Sequence, residues 1–222
     1  MTDAHTLALH LTHRYASLQA GDSQPMPVDD SGQPAWKNGV LRACAALGFL
    51  SHDAQCSAGA WQAQTERLGG FDPDHWPDQP QDFGIAPVPR AHAFPSCPSA
   101  LGLYAVLPSA AWVQRMVDAG VPTVQLRFKS DDASAIAREV EAAVRAVEGS
   151  QSLLFINDHW QEAIAAGAYG VHLGQEDMDE APLERIHTAG LRLGLSTHGY
   201  AEMLKADAAS PSYLALGAIF PT

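Results

Sequence analysis

From residue 101 onward, short apolar runs alternate with helical stretches, and this alternation limits the fold more than any other feature of the chain. Apolar runs at 101–107, 123–128, 153–156, 170–173, 192–195 and 213–220 read as strands. Helical periodicity fills the intervals at 110–119, 133–147, 160–166, 181–189 and 201–208. Such strand and helix alternation demands parallel pairing with right-handed crossovers, so the choice lies between an open doubly wound sheet and a (β/α)8 barrel.

The first hundred residues are of another kind. They hold ten of the fifteen prolines and all three cysteines. Residues 1–68 read as an N-terminal extension with short amphipathic helices, carried by Leu7, Leu11 and Tyr15 and then by Val40, Leu41, Cys44 and Leu47. Residues 69–100 are dense in Pro, Gly and Asp, a composition that sustains neither a regular helix nor a central strand, and they read as a linker. Phe71, Trp76, Phe83 and Phe94 within it suggest a packing strap, with a ligand lid as the sharper alternative. Cys44, Cys56 and Cys97 are an odd number without metal-ligand spacing and are expected to be reduced thiols.

Charge narrows the function classes. Thirteen Lys plus Arg against 25 Asp plus Glu leave a net charge of −12, which repels nucleic acid and anionic membranes. No apolar run approaches the ~20 residues of a membrane helix, and Met1-Thr2-Asp3-Ala4-His5 lacks the basic start of a secretory signal. A cytoplasmic protein acting on small molecules is the expectation, and a homo-oligomer is compatible with it.

In the strand around residue 125, Gln125, Arg127 and Lys129 share one face while Val124, Leu126 and Phe128 share the other. A buried face with an amide and two cations is costly unless an anion meets it; the bland alternatives are a wet edge strand or salt bridges to core carboxylates. Asn157-Asp158, Gln175-Glu176-Asp177, Ser196-Thr197-His198 and Pro221-Thr222 follow four other strands at their carboxyl ends, where parallel α/β folds bind ligands. Taken alone, Asp158 would read as a helix N-cap. Arg127 and Lys129 suit a phosphate or pyrophosphate, and Asp158 and Asp177 on the same rim would repel that anion unless a divalent cation lay between them. Mg2+ fits, because it binds one or two carboxylates plus substrate phosphates. General acid/base work by the carboxylate pair is the other possibility. His172 reads as a hydrogen-bonded core histidine, Glu176 as a helix-start residue, and His198 stays outside the catalytic set.

These residues resemble the thiamine-phosphate synthase (thiamine-phosphate pyrophosphorylase) family. The matching segments are Gly102-Leu103-Tyr104, Val124-Gln125-Leu126-Arg127-Phe128-Lys129, Ile156-Asn157-Asp158-His159, Gly170-Val171-His172-Leu173-Gly174-Gln175-Glu176-Asp177, Gly194-Leu195-Ser196-Thr197-His198 and Leu216-Gly217-Ala218-Ile219-Phe220-Pro221-Thr222. They cover 101–222, just over half the chain.

The resemblance implies a TIM (β/α)8-type barrel that joins hydroxymethylpyrimidine diphosphate to thiazole phosphate, releasing pyrophosphate. It implies that Gln125, Arg127, Lys129 and Asn157 bind the pyrimidine diphosphate, that Ser196 and Thr222 line the diphosphate site, and that Asp158 and Asp177 hold Mg2+. Arg127, Lys129 and Ser196 are the expected catalytic residues. The implied mechanism is dissociative: pyrophosphate departs first, and the thiazole nitrogen captures the pyrimidine-methyl cation. Such a step needs stabilisation of the leaving group more than a positioned base. Family features expected beyond Thr222, a further Thr and Lys, two strands and a glycine-rich phosphate site, are not in the sequence. A complete barrel typically takes ~250 residues, so 101–222 is expected to be a C-terminally truncated barrel with six of eight strands and an open side between the first and the sixth. The rival reading is a non-catalytic protein that binds a pyrimidine or phosphate ligand on an incomplete barrel. A barrel that isomerises a thiazole phosphate is a third reading, disfavoured by the diphosphate set.

Overall fold

The computed structural model describes residues 3–27, 32–85 and 90–217. They divide into two compact units, one made of residues 3–85 with 199–205 and the other of residues 90–198 with 206–217.

The first unit is helical. Helix α1 spans Ala4–Arg14, α2 Ala35–Ala46 and α3 Ser51–Leu68. Asp3 starts α1 by accepting from the backbone amides of His5 and Thr6, and Gly69 ends α3 in the left-handed conformation that glycine adopts without strain. Leu7, Leu11, Val40, Cys44, Ala58 and Trp61 meet in the core. Phe71 packs on Trp61 and Trp36, and Trp76 packs edge-on to Tyr15. Burial pushes the Cys44 thiol up to about 12, so it packs as a small apolar group.

Helix α3 is absent from the sequence reading because Ala, Ser, Gly and Gln dominate it and leave a weak apolar stripe. Gly59 lies exposed within α3 with nothing within 4 Å of where a Cβ would stand. Gly59→Ala is expected to stabilise this unit by about 0.8 kcal/mol through helix propensity, read as a higher denaturant midpoint; an unchanged or lower midpoint contradicts the helix.

The second unit is an α/β half-barrel. Strands β1 (Tyr104–Leu107), β2 (Thr123–Leu126), β3 (Leu153–Asn157), β4 (Gly170–Leu173), β5 (Arg192–Thr197) and β6 (Tyr213–Leu216) pair in parallel, in sequence order. Sequential order without reversal is the winding of a barrel, not of a doubly wound sheet. Helices α4 (Ala110–Asp118), α5 (Ala133–Val147) and α6 (Trp160–Ala166) separate the first four strands. Between β4 and β5 stand α7 (Gln175–Glu180) and α8 (Leu183–Thr188), and α9 (Tyr200–Ala208) precedes β6. The helix expected at 181–189 is observed as α8, opened by Pro182, and α7 is a further short helix ahead of it, kept apart because Pro182 cannot continue a helix.

Outward strand residues Val124, Leu126, Leu154, Ile156, Val171, Leu173, Leu193 and Leu195 are buried with Val113, Val140 and Ile186 of the helices. Burial of each such side chain contributes about 1.5–3 kcal/mol. The inner face is aromatic: Phe155 lies 5.2 Å from Tyr213 and 5.9 Å from Tyr104. The sheet curls, for the hydroxyls of Tyr104 on β1 and Tyr213 on β6 stand 2.7 Å apart. Among the described residues β1 and β6 do not pair with each other, and Val106, Leu214 and Leu216 on them are exposed. The strand expected at 213–220 is observed as Tyr213–Leu216; residues 218–220 lie outside the described residues.

Candidate active site

Alternation along each strand sends every second side chain inward, and the carboxyl ends place the polar members of that set on one rim. They surround a cavity of about 690 Å3. Gln125 reaches it from β2 and Arg127 from just past its end, Asn157 from β3 and Asp158 from the residue after it, Asp177 from α7 and Ser196 from β5. Lys129 is exposed and does not line the cavity, and Thr222 lies outside the described residues.

The expectation that both cations lie on a buried face is corrected by the structure. Gln125 is 4% exposed, whereas Arg127 and Lys129 are exposed, since the β2 ladder ends at Leu126 and both stand beyond it in solvent. Nor is β2 an edge strand, because it pairs with β1 and β3. Among the described residues no ion pair ties down Arg127 or Lys129.

Asp158 does not cap a helix. His159 is the N-cap of α6, without a side-chain cap bond, and Asp158 sits at φ 62°. That left-handed conformation is uncommon for a residue with a side chain. It is held by the Asp158 amide donating to the His172 carbonyl at 3.0 Å and the Trp160 amide donating to the Asp158 carbonyl at 2.8 Å. Backbone strain retained in this way is a feature of functional positions. Burial and the facing Asp177 carboxylate raise the Asp158 pKa above the usual 3.8, and His159 and Arg127 counteract in part. Gly174, the N-cap of α7, leaves room for that carboxylate, since a Cβ there would stand 3.1 Å from Asp177 Oδ2.

Two carboxylates that repel each other can share a proton or a divalent cation. No group of three or more candidate ligands exists among the described residues. A pair is nevertheless the donor set that suits Mg2+, which draws its remaining ligands from water and phosphate. Glu176 is exposed in the first turn of α7.

Tyr104, His172, His198 and Tyr213 also line the cavity. Burial pushes the His172 pKa down to about 4, so its ring is uncharged near neutral pH. His172 bonds to Tyr213 and Ser196 at 2.8 Å each, so it is a hydrogen-bonded histidine of the inner face as the sequence suggests. The two tyrosines are site residues that the sequence reading missed. Their inward parity on β1 and β6 was the available signal, obscured because tyrosine is also an ordinary strand residue.

The strand ends of this α/β half-barrel bring a cation, amides and a carboxylate pair to one cavity. The family model of thiamine monophosphate synthase matches residues 103–222, and the chain belongs to that family. The thiamine-phosphate synthase of Neisseria meningitidis serogroup A is 61% identical over 124 residues, which cover 56% of this chain and 60% of that protein. That of Serratia proteamaculans is 53% identical over 129 residues, covering 58% of this chain and 61% of that protein. A solved thiamine phosphate pyrophosphorylase from Pyrococcus furiosus superposes with a TM-score of 0.49 at 27% identity, over 55% of this chain and 62% of that one. The chain thus spans about three fifths of the length of these relatives. Among the described residues no helix is long and apolar enough to cross a membrane.

Proposed function

We propose that residues 101–222 carry the pyrimidine diphosphate site of a thiamine-phosphate synthase, a transferase that joins hydroxymethylpyrimidine diphosphate to thiazole phosphate. The observation that carries this reading is the gathering of Gln125, Arg127, Asn157, Asp158, Asp177 and Ser196 around one cavity. In the reaction the bond between the pyrimidine methylene carbon and the diphosphate oxygen breaks, pyrophosphate leaves with the electron pair, and the thiazole nitrogen supplies the pair for the new bond. Arg127 donates charge-assisted hydrogen bonds to the diphosphate, with the exposed Lys129 as a second cation. Asn157 orients the same group, Gln125 braces Asn157, and the apolar inner face around Phe155 excludes water from the reacting carbon. Asp158 and Asp177 would hold Mg2+, which when bound neutralises the charge of the leaving group. Thr222 would belong to the same diphosphate site. The protein works in the cytoplasm on small molecules.

Calorimetry of the chain with hydroxymethylpyrimidine diphosphate and Mg2+ tests the reading. Saturable one-site binding is expected. Arg127→Ala should weaken it about 10–100-fold, as loss of a charged hydrogen bond does, and the loss should shrink in high salt. Absence of binding, or binding indifferent to Arg127→Ala, sinks the assignment.

A further inference from the structure

One inward side chain from each of the six strands joins a continuous hydrogen-bonded chain around the cavity. Gln125 Nε2 donates to Asn157 Oδ1 at 2.6 Å, and the Tyr104 hydroxyl donates to Gln125 Oε1 at 2.9 Å. The Tyr104 and Tyr213 hydroxyls are 2.7 Å apart. The Tyr213 hydroxyl meets His172 Nδ1 at 2.8 Å, and Ser196 Oγ meets His172 Nε2 at 2.8 Å.

A phenol has one proton to donate, so such a chain runs one way. Tyr104 gives its proton to Gln125 and must therefore accept from Tyr213. Tyr213, its proton spent, must accept from His172, which places the imidazole proton on Nδ1. Nε2 is then a bare acceptor, and the Ser196 hydroxyl must donate to it. The reverse direction would turn both amides over and leave the Asn157 carbonyl oxygen, not its Nδ2–H, for an anion at the rim.

We propose that Tyr104, Tyr213 and His172 are positioning residues that lock Ser196 as a hydrogen-bond acceptor toward the cavity and Asn157 as a donor. The proposal rests on the cavity being the pyrimidine diphosphate site, and it deepens that reading. Ser196 Oγ then offers only lone pairs to the cavity and must meet a donor of the bound ligand or of its hydration, and the amide protons of Asn157 meet the diphosphate. A ligand that brings no donor there leaves the serine oxygen facing an acceptor.

The test is 15N NMR of the histidine-labelled 222-residue chain, with the His172 signals identified by their loss in His172→Gln. The wild type should show a protonated Nδ1 and a bare Nε2 at neutral pH. Tyr213→Phe keeps the ring against Phe155 but removes the acceptor, so the proton should move to Nε2. Affinity for hydroxymethylpyrimidine diphosphate should fall about fivefold, the size of one hydrogen bond. Tyr104→Phe, one link further, should shift the same tautomer part of the way and serves if Tyr213→Phe does not fold. A wild-type Nε2–H tautomer, or a tautomer unmoved in both variants, overturns the proposal whether or not the ligand binds. A chain with the assigned tautomer and response that ignores the ligand refutes the functional reading, while the direction of the chain stands.

Discussion

Asp158→Asn is expected to raise the unfolding temperature of the metal-free protein while abolishing the Mg2+-dependent part of pyrimidine diphosphate binding. The stabilisation has two sources. The amide removes the negative charge that burial and Asp177 disfavour. Asparagine also tolerates the observed φ of 62° at least as well as aspartate. Asp158 is only partly buried, so water screens the repulsion and a rise of about 2 °C is the appropriate scale.

The sign of the pH dependence follows. A carboxyl whose folded pKa lies above its unfolded value of 3.8 takes up its proton more readily in the fold. The penalty is fully present above the raised value and is relieved as pH falls through it towards 3.8. The gain from Asp158→Asn should therefore be largest near neutral pH and fade in acid. Thermal unfolding at pH 7 and pH 4, with calorimetry in Mg2+ and in chelator, checks both halves. Undiminished Mg2+-dependent binding by the variant removes Asp158 from the metal site; a fall in stability at pH 7 contradicts the like-charge account.

Gly170→Ala should cost about 3 kcal/mol or prevent folding of the half-barrel. Gly170 faces inward at the start of β4, and a Cβ there would stand 2.5 Å from Phe155 Cε1 and 2.7 Å from the Arg192 carbonyl oxygen. The phenyl ring is wedged between Tyr104, Tyr169 and Tyr213 and has no free direction. The carbonyl belongs to β5, which pairs directly with β4 at this register. Relief must come from parting the two strands, which also carry His172 and Ser196. Denaturant unfolding measures the loss, and a cost below about 1 kcal/mol would show that the inner face is not packed as described.

Much of the half-barrel is legible in the sequence because βα alternation records burial directly. Val124, Leu126, Leu154, Ile156, Leu193 and Leu195 are apolar since they face helices, and α5 and α6 fall at their expected bounds because their apolar stripes and flanking turns are clear. Helix α3 was not legible, since a helix rich in alanine and serine packs by closeness more than by hydrophobic contrast. The same division runs through the site. Strand parity and the carboxyl-end rule bring Gln125, Asn157, Asp158 and Ser196 together from the sequence alone, because a parallel sheet leaves their placement no freedom.

Tyr104 and Tyr213, 109 residues apart, carry no sequence mark that they meet. Only the curl of the sheet brings their hydroxyls together, and with them the direction of the hydrogen bonds that reach Ser196. The pairing of β3 with β4 decided that Asp158 faces Asp177, and the end of the β2 ladder decided that Arg127 stands in solvent. The sequence by itself determined which residues face inward, through local periodicity. Which of those residues touch, and which protonation states and tautomers they take, was decided by the tertiary structure, because hydrogen bonding and desolvation act between strands distant along the chain.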